Sequence, residues 1–179
     1  MSKKATLRTW QAEDKDALTR YANNINVFTK LRDGFPHPYT VTDAEKFISI
    51  ATETPTEKAI KWAIEIDGEA AGSIGIHFKD DVYRKNAELG YWLAEKYWGQ
   101  GFMTSCVIEV VTYTFNNYDI RRIYAEIFAN NTASCKVLLK AGFRHEATLI
   151  KNVFKMGEYL DTSLYALLRE EFNLKQGKL

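Results

Sequence analysis

Glu88-Leu89-Gly90-Tyr91-Trp92-Leu93-Ala94-Glu95-Lys96-Tyr97-Trp98-Gly99-Gln100-Gly101-Phe102-Met103-Thr104 is the stretch on which the reading of this 179-residue chain turns. Its first part, taken from Ala87 to Ala94, has the length and apolar content of a strand, with Gly90 at the centre. A glycine there weakens a regular ladder, so a bulge or a close backbone approach is expected at Gly90. The second part is Lys96 to Thr104, with two glycines between that strand and the longest helical pattern of the chain, Phe102 to Asn116. Met103, Val107, Val110, Val111 and Phe115 make the apolar stripe of that helix. Glycines at Gly99 and Gly101 let successive amides converge on one point, and the helix N-terminus adds about half a positive charge. The arrangement suits a bound phosphate.

Two familiar glycine motifs do not fit these letters. A P-loop requires Gly-x-x-x-x-Gly-Lys-Ser/Thr, which is absent, and the dinucleotide fingerprint requires a third glycine where Thr104 stands. Taken alone, Gly-x-Gly is also compatible with a tight strand-to-helix turn that binds nothing.

Working outward, Ala5 to Trp10 alternates like an edge strand and Asp14 to Asn24 reads as a helix with Ala17, Leu18 and Tyr21 on one face. Gly34-Phe35-Pro36-His37-Pro38-Tyr39 excludes helix and predicts an aromatic loop. Thr42 with Glu45 has the spacing of a capping box for a helix running to about Glu53. Lys61 to Ile66 and Ala70 to Phe78 are strands joined by Asp67-Gly68, a hairpin turn because both residues tolerate positive φ. Downstream lie a strand from Arg122 to Phe128, a helix from Asn131 to Lys140 closed by Ala141-Gly142, and two strands around Lys155-Met156-Gly157-Glu158. A frayed C-terminal tail is expected. With no repeat or linker, residues 1–179 read as one α/β domain of the α+β type. Its single mixed, mostly antiparallel sheet is flanked by about four helices.

Bulk properties narrow the function classes. The chain is 46% apolar and 26% charged, which places it with globular rather than disordered proteins. A net charge of +1 with scattered Lys and Arg leaves no basic stripe for nucleic acid. No run approaches twenty apolar residues and the first residues carry no apolar signal region, so no membrane partner and a cytoplasmic location are expected. Cys106 and Cys135 have neither paired nor metal-ligand spacing and read as small buried hydrophobes, so no metal is expected. Tyr97, Trp98 and the Met103/Val107/Val111 stripe read as core packing.

Lys96 to Gly101 resembles the Arg/Gln-x-x-Gly-x-Gly/Ala pyrophosphate loop of the GNAT acetyltransferases, with Lys96 in place of the usual Arg or Gln. The wording from Glu88 to Leu93 followed by Tyr97 to Gly101 resembles the branch that contains the ribosomal-protein N-terminal acetyltransferases. Asn131-Thr132-Ala133-Ser134 followed by Lys140-Ala141-Gly142-Phe143 is similar to that family's Asn-x-x-Ser helix and its Lys-x-Gly-Phe ending. Leu31 to Pro36 and Asp161 to Tyr165 fit as well, so the resemblance covers nearly the whole chain.

The resemblance implies a GNAT fold with splayed fourth and fifth strands and acetyl transfer from acetyl-CoA to a primary amine, either a protein N-terminus or a small molecule. A homodimer is compatible with it. The implied cofactor contacts are Leu89, Gly90, Tyr91, Trp92, Lys96, Gly99, Gln100, Gly101, Phe102, Met103, Thr104, Asn131, Ser134 and Lys136. Glu88 is the implied base, against a plain half-exposed strand carboxylate. Ser134 is the implied acid or relay, against a helix serine bonding back to a carbonyl. The family's common tyrosine acid would fall at Leu138, which leaves Ser134. Asn131 reads locally as a helix cap and, by resemblance, as a group that orients the pantetheine arm. Lys136 and Lys140 read as surface charge or as contacts to a 3′-phosphate. Arg32, Asp33, His37 and Tyr39 would border the acceptor. The rival from another class is a module that binds acyl-CoA without turning it over.

Overall fold

The computed structural model describes residues 4–176. Seven strands form one sheet: β1 (Thr6–Arg8), β2 (Ala59–Ile66), β3 (Glu69–Phe78), β4 (Asn86–Leu93), β5 (Arg122–Phe128), β6 (Arg144–Lys155) and β7 (Glu158–Leu168). Their spatial order is β1-β2-β3-β4-β5-β7-β6. The β2–β3 hairpin follows from Asp67 and Gly68, both at positive φ (56° and 78°), a pairing that matches the right-handed twist of the flanking strands. Only β4 and β5 pair in parallel among the described residues. That geometry requires a crossover rather than a turn, and helix α4 (Phe102–Asn117) supplies it.

Helices α1 (Lys15–Ala22) and α3 (Val41–Glu53), with the four-residue α2 (Ile25–Phe28), lie on one face. Leu18, Ala22, Val27, Ala44 and Ile48 pack there against Ala63 and Trp92. The opposite face carries α4, with Val107, Val110, Val111 and Phe115 against Ile64, Ile74, Ile76 and Leu89. Strand β4 serves both layers through its period of two: Ala87, Leu89 and Leu93 join the α4 layer while Trp92 joins the α1/α3 layer. Glu88, Gly90 and Trp92 therefore share one face and Leu89 and Tyr91 the other.

The β4–β5 ladder holds for three positions only, Asn86↔Arg122, Ala87↔Ile123 and Glu88↔Tyr124. Beyond them β5 follows β7, to which it pairs over all seven of its residues. The two strands diverge after Glu88, as expected. The cause is not a bulge at Gly90, which pairs Gly75 in unbroken register. A Cβ on Gly90 would meet nothing within 4 Å. The close approaches lie on β3, where a Cβ on Gly72 would stand 2.4 Å from the Trp92 carbonyl oxygen and one on Gly75 2.9 Å from that of Ile60.

Other expectations are adjusted at element ends. Thr40 rather than Thr42 caps α3, because its hydroxyl reaches the Asp43 amide while the Asp43 carboxylate accepts the Thr40 N–H at 2.8 Å. The first helix begins at Lys15, after a 3-10 turn at Ala12–Asp14 in which buried Asp14 accepts two bonds from Arg8 at 2.7 Å. Two helices are present beyond the four expected, α2 and a C-terminal α6 (Arg169–Gln176), so the tail up to residue 176 is helical rather than frayed, with Phe172 against Phe115, while residues 177–179 of the expected frayed tail lie outside the described residues. Trp98 is 40% exposed rather than core, with its indole N–H donating to the Leu93 carbonyl at 2.7 Å.

Candidate active site

The turn before α4 has the geometry an anion needs. Gly99 (φ 72°) and Gly101 (φ 85°) are left-handed, and a Cβ at either would meet nothing within 4 Å. Gly101 is the residue before the first turn, so the amides of Phe102, Met103 and Thr104 are first-turn donors without intrahelical acceptors. No acidic residue sits in that turn to repel an anion. Phe102 and Met103 bury their side chains in the core, which fixes the backbone carrying those donors. The Gln100 side chain donates to the Lys96 carbonyl at 2.9 Å and braces the loop. Lys96 itself turns toward Tyr21, bonding its hydroxyl. The loop thus offers backbone rather than the Lys96 ammonium, and it fits a diphosphate.

The divergence of β4 from β5 opens next to this turn. The contacts Lys79 N–H to Asn86 carbonyl and Ala94 N–H to Ala71 carbonyl show that even-numbered residues of β4 direct their backbone groups toward β3. Odd-numbered residues direct theirs toward the divergence. Past the last cross-strand pair, at Glu88↔Tyr124, the Tyr91 amide has no ladder partner. Facing it across the gap is the start of α5 (Thr132–Lys140). Asn131 caps that helix, accepting the Ser134 amide at 3.2 Å, so its local role is secured by geometry. The Ser134 hydroxyl does not bond back to a carbonyl; it meets the Tyr91 hydroxyl at 2.7 Å. Burial pushes the Tyr91 phenol well above its ordinary value, so it stays protonated. Lys136 is exposed, and Leu138 is fully buried in the core.

Glu88 lies on the other face of β4, its side chain 17% exposed. Lys79 Nζ donates to Oε2 at 2.6 Å, Arg32 Nη2 to Oε1 at 2.8 Å, and the Tyr124 hydroxyl to Oε2 at 3.4 Å. Burial alone would raise the carboxyl, but Lys79 and Arg32 outweigh it and hold it below the usual carboxylate range. His77, paired with Glu88 across β3, is held below the ordinary imidazole value by burial and then by Lys61.

The loop before α3 closes this side. Arg32 reaches Glu88, while Asp33 accepts from Lys155 at 2.8 Å. Lys155 is 4% exposed and its ammonium sits 3.5 Å from the Phe28 ring centroid. His37 stacks on the same Phe28 ring, centroids 5.3 Å apart. Tyr39 packs into the α1/α3 layer against Phe35, with burial pushing its phenol up to about 12, so its contribution is to packing. Of the residues singled out in the sequence, Arg32 and Glu88 meet directly, and Tyr91 meets Ser134.

Lys79, Tyr124, Lys155 and Phe28 were not singled out. Lys79 and Tyr124 come to Glu88 through register rather than local pattern: His77 pairs Glu88 in the β3–β4 ladder, which leaves Lys79 diagonal to it, and Tyr124 pairs Glu88 in the β4–β5 ladder. The β6–β7 hairpin is the pair of strands expected around Lys155-Met156-Gly157-Glu158, but that its end at Lys155 meets Phe28 is a long-range contact that no local pattern contains. Cys106 is buried, with burial raising its thiol to about 12, and no group of three or more His, Cys, Asp or Glu among the described residues is placed to hold a metal. No helix among the described residues is long and apolar enough to cross a membrane.

A family model described as an acetyltransferase (GNAT) domain matches residues 4–144. An uncharacterized N-acetyltransferase of Bacillus subtilis (strain 168), YoaA, is 31% identical over 162 residues, covering 89% of this chain and 91% of its own. The structure of RimL, a ribosomal L7/L12 alpha-N-protein acetyltransferase in complex with coenzyme A, superposes with a TM-score of 0.83 at 24% identity, covering 93% of this chain and 95% of that one. Mycobacterium smegmatis RimJ in complex with CoA-disulfide gives a TM-score of 0.83 at 26% identity, covering 93% and 83%.

Proposed function

The chain belongs to the acetyltransferase (GNAT) family and is an acetyl-CoA-dependent N-acetyltransferase, and we propose that its acceptor is an α-amine, with a protein N-terminus the best fit. The observation that carries the acceptor class is the state of Glu88. A carboxylate held below its usual range by Lys79 and Arg32 is a poor proton acceptor, so the amine must arrive already neutral. An α-amine, with a pKa near 7.8, is about one third neutral at pH 7.5, whereas a lysine-type amine near 10.4 is only about 0.1% neutral. A site without a strong base therefore favours the first by a factor of hundreds. The resemblance to RimL and RimJ supports the same choice.

Each residue then has a task. Acetyl-CoA supplies a thioester-activated acetyl group. The amides of Gly99 to Thr104 hold its diphosphate, with Lys136 able to meet the 3′-phosphate from the α5 surface. The Tyr91 amide, turned to the divergence, donates to the carbonyl oxygen as negative charge develops there. The Asn131 side chain fixes the start of α5, and the Ser134 hydroxyl donates to the departing sulfur. On the far face, Glu88 orients the amine or its water through hydrogen bonds and offsets the positive charge that grows on nitrogen. Arg32, Asp33 and His37 border the entry of the acceptor. Direct attack in a ternary complex requires both substrates at once, which two faces of one strand allow.

The test is an acceptor panel: unblocked peptides with varied first residues, the same peptides acetyl-blocked with an internal lysine, polyamines and free amino acids. Thiol release and added acetyl mass are read for each. The reading expects turnover with unblocked peptides and little with blocked ones. Turnover confined to polyamines or lysine side chains overturns the acceptor assignment, and acetyl-CoA binding without thiol release for any amine favours a binding module.

A further inference from the structure

We infer that the Tyr91 phenol is a positioning residue for catalysis, aiming the Ser134 hydroxyl at the leaving sulfur; this rests on the transferase reading above. Tyr91 comes from β4 and Ser134 from the first turn of α5, and their hydroxyl oxygens stand 2.7 Å apart across the gap left by the diverging strands. Other helix hydroxyls in this chain satisfy themselves locally: Thr52, Thr112 and Thr114 donate to the carbonyls of Ile48, Ile108 and Val110 at 2.9, 2.7 and 2.8 Å. Ser134 is the third residue of its helix, so its i−4 carbonyl lies outside the helix and the local option is missing. Its hydroxyl is held by a tyrosine from another element instead.

The direction of the bond follows from chemistry. Two hydroxyls share one proton between them, and the phenol is the more acidic partner, so it donates and the serine oxygen accepts. The alternative would send the Tyr91 proton to the Ser134 carbonyl, at a long 3.4 Å. With Tyr91 donating, the serine keeps its own O–H free to swing into the divergence. Neither group changes its protonation state over the cycle. The N–C bond forms and the C–S bond breaks; the electron pair of that bond stays on sulfur, stabilised by the Ser134 O–H. The proton lost by nitrogen leaves to water, and sulfur takes one from water. The Tyr91 phenol acts through Ser134 and, unlike the backbone amide of the same residue, touches no reacting atom.

The experiment compares wild type, Tyr91→Phe, Ser134→Ala and the double variant in two ways. The first is turnover by thiol release together with calorimetric acetyl-CoA affinity. Each single variant is expected to lose about tenfold in kcat, the scale of one oriented hydrogen bond. Acetyl-CoA affinity should stay within about twofold, and the double variant should lose about tenfold rather than a hundredfold, because the residues act in series. The second readout needs no turnover: wild-type affinity for free CoA should rise between pH 7 and 9.5 as its thiol ionises, and all three variants should lose that gain. A Tyr91→Phe chain with wild-type kcat and an intact pH gain, losses that multiply, or a loss traced wholly to weaker acetyl-CoA binding overturns the assignment to Tyr91. Failure of the wild-type chain to release thiol with every amine overturns the transferase reading and this assignment with it.

Discussion

Replacing Gly101 by Asp puts a carboxylate where the diphosphate should rest, and the structure allows the size of the effect to be worked out. A Cβ at Gly101 meets nothing within 4 Å, so the cost to the fold is confined to the left-handed φ of 85°. For an L-residue that conformation costs about 1–2 kcal/mol, and Asp tolerates it better than most. An acidic side chain beside a helix N-terminus returns about 0.5–1 kcal/mol. The net loss, about 1 kcal/mol, lowers the Tm of a domain this size by roughly 2–4 °C. Binding suffers far more. One carboxylate about 5 Å from two diphosphate charges is repelled by about 2 kcal/mol in a water-like medium and about 7 kcal/mol at an effective dielectric of 20. Acetyl-CoA affinity should therefore fall by at least about tenfold, up to about 10⁵-fold where water is excluded. Gly101→Asn has the same shape and the same tolerance of positive φ without the charge, and should keep most of the affinity. The assay is calorimetric titration with acetyl-CoA alongside thermal unfolding. Unchanged affinity in Gly101→Asp, or equal losses in Asp and Asn, would refute the claim that this turn grips an anion by its electrostatics.

Glu88→Gln should lower kcat with unblocked peptides by about ten- to a hundredfold, yet leave the midpoint of the activity–pH profile in place. Glu88 is ionised in the folded chain above its depressed value, so its stabilising effect is complete above about pH 4.3, the unfolded carboxylate range, and fades only as pH falls through the lower folded value. Any rise in rate between pH 6 and 9 then belongs to the amine, and a midpoint displaced by the substitution would contradict this. Lys155→Met removes the bond to Asp33 and the ammonium over Phe28 while keeping the stem. The acceptor KM should rise several-fold, about the scale of one cation–π contact, with acetyl-CoA affinity unchanged; an unaltered acceptor KM would detach the β6–β7 hairpin from the acceptor site. Gly72→Ala drives a methyl to 2.4 Å from a backbone oxygen and should cost about 1–3 kcal/mol by chemical denaturation. Gly90→Ala opens onto free space and should cost nothing, and equal losses in the two would mean the close approach is misplaced.

The parts of the fold legible in the sequence were those written by local chemistry. Asp67-Gly68 dictates a hairpin because both residues accept positive φ, and the structure puts them at 56° and 78°. Gly99 and Gly101 dictate a turn that L-residues resist, and both are left-handed. Where two local signals compete, the sequence misleads: Thr40 with Asp43 and Thr42 with Glu45 both have capping-box spacing, and the choice falls to Thr40 because the chain is still extended there (ψ 167°). Gly90 points in the sequence to a bulge or a close approach, and the structure has neither there. Its strand parts from β5 after Glu88 while β5 stays paired with β7 over all seven residues, a long-range arrangement that no window around Gly90 contains. The site followed the same rule. Glu88, Tyr91 and Ser134 stood out by their motifs, while Lys79 meets Glu88 through cross-strand register and the bond between Tyr91 and Ser134 joins residues 43 apart.

Strand β4 joins these observations into one device. Its period of two sends Glu88 and Gly90 to the face bordered by Arg32 and Asp33, and Tyr91 to the face where Ser134 waits. Pairing with β3 runs unbroken along the strand, so the divider is rigid on one edge, and loss of β5 after Glu88 frees the other edge. A backbone amide at Tyr91 can then act in the plane between the faces, where the carbon under attack must lie if the amine comes from one side and sulfur leaves toward the other. A Cβ at Gly90 meets nothing within 4 Å, and on the proposed division of faces that open space is the acceptor's path past Glu88. Filling it should separate the two half-functions. Gly90→Val should bind acetyl-CoA with affinity within about twofold of wild type, since a β-branched residue suits a strand, yet transfer little acetyl to any peptide. If Gly90→Val turned over normally, the acceptor would have to approach from the Ser134 side, and the division of labour assigned to the two faces would be reversed.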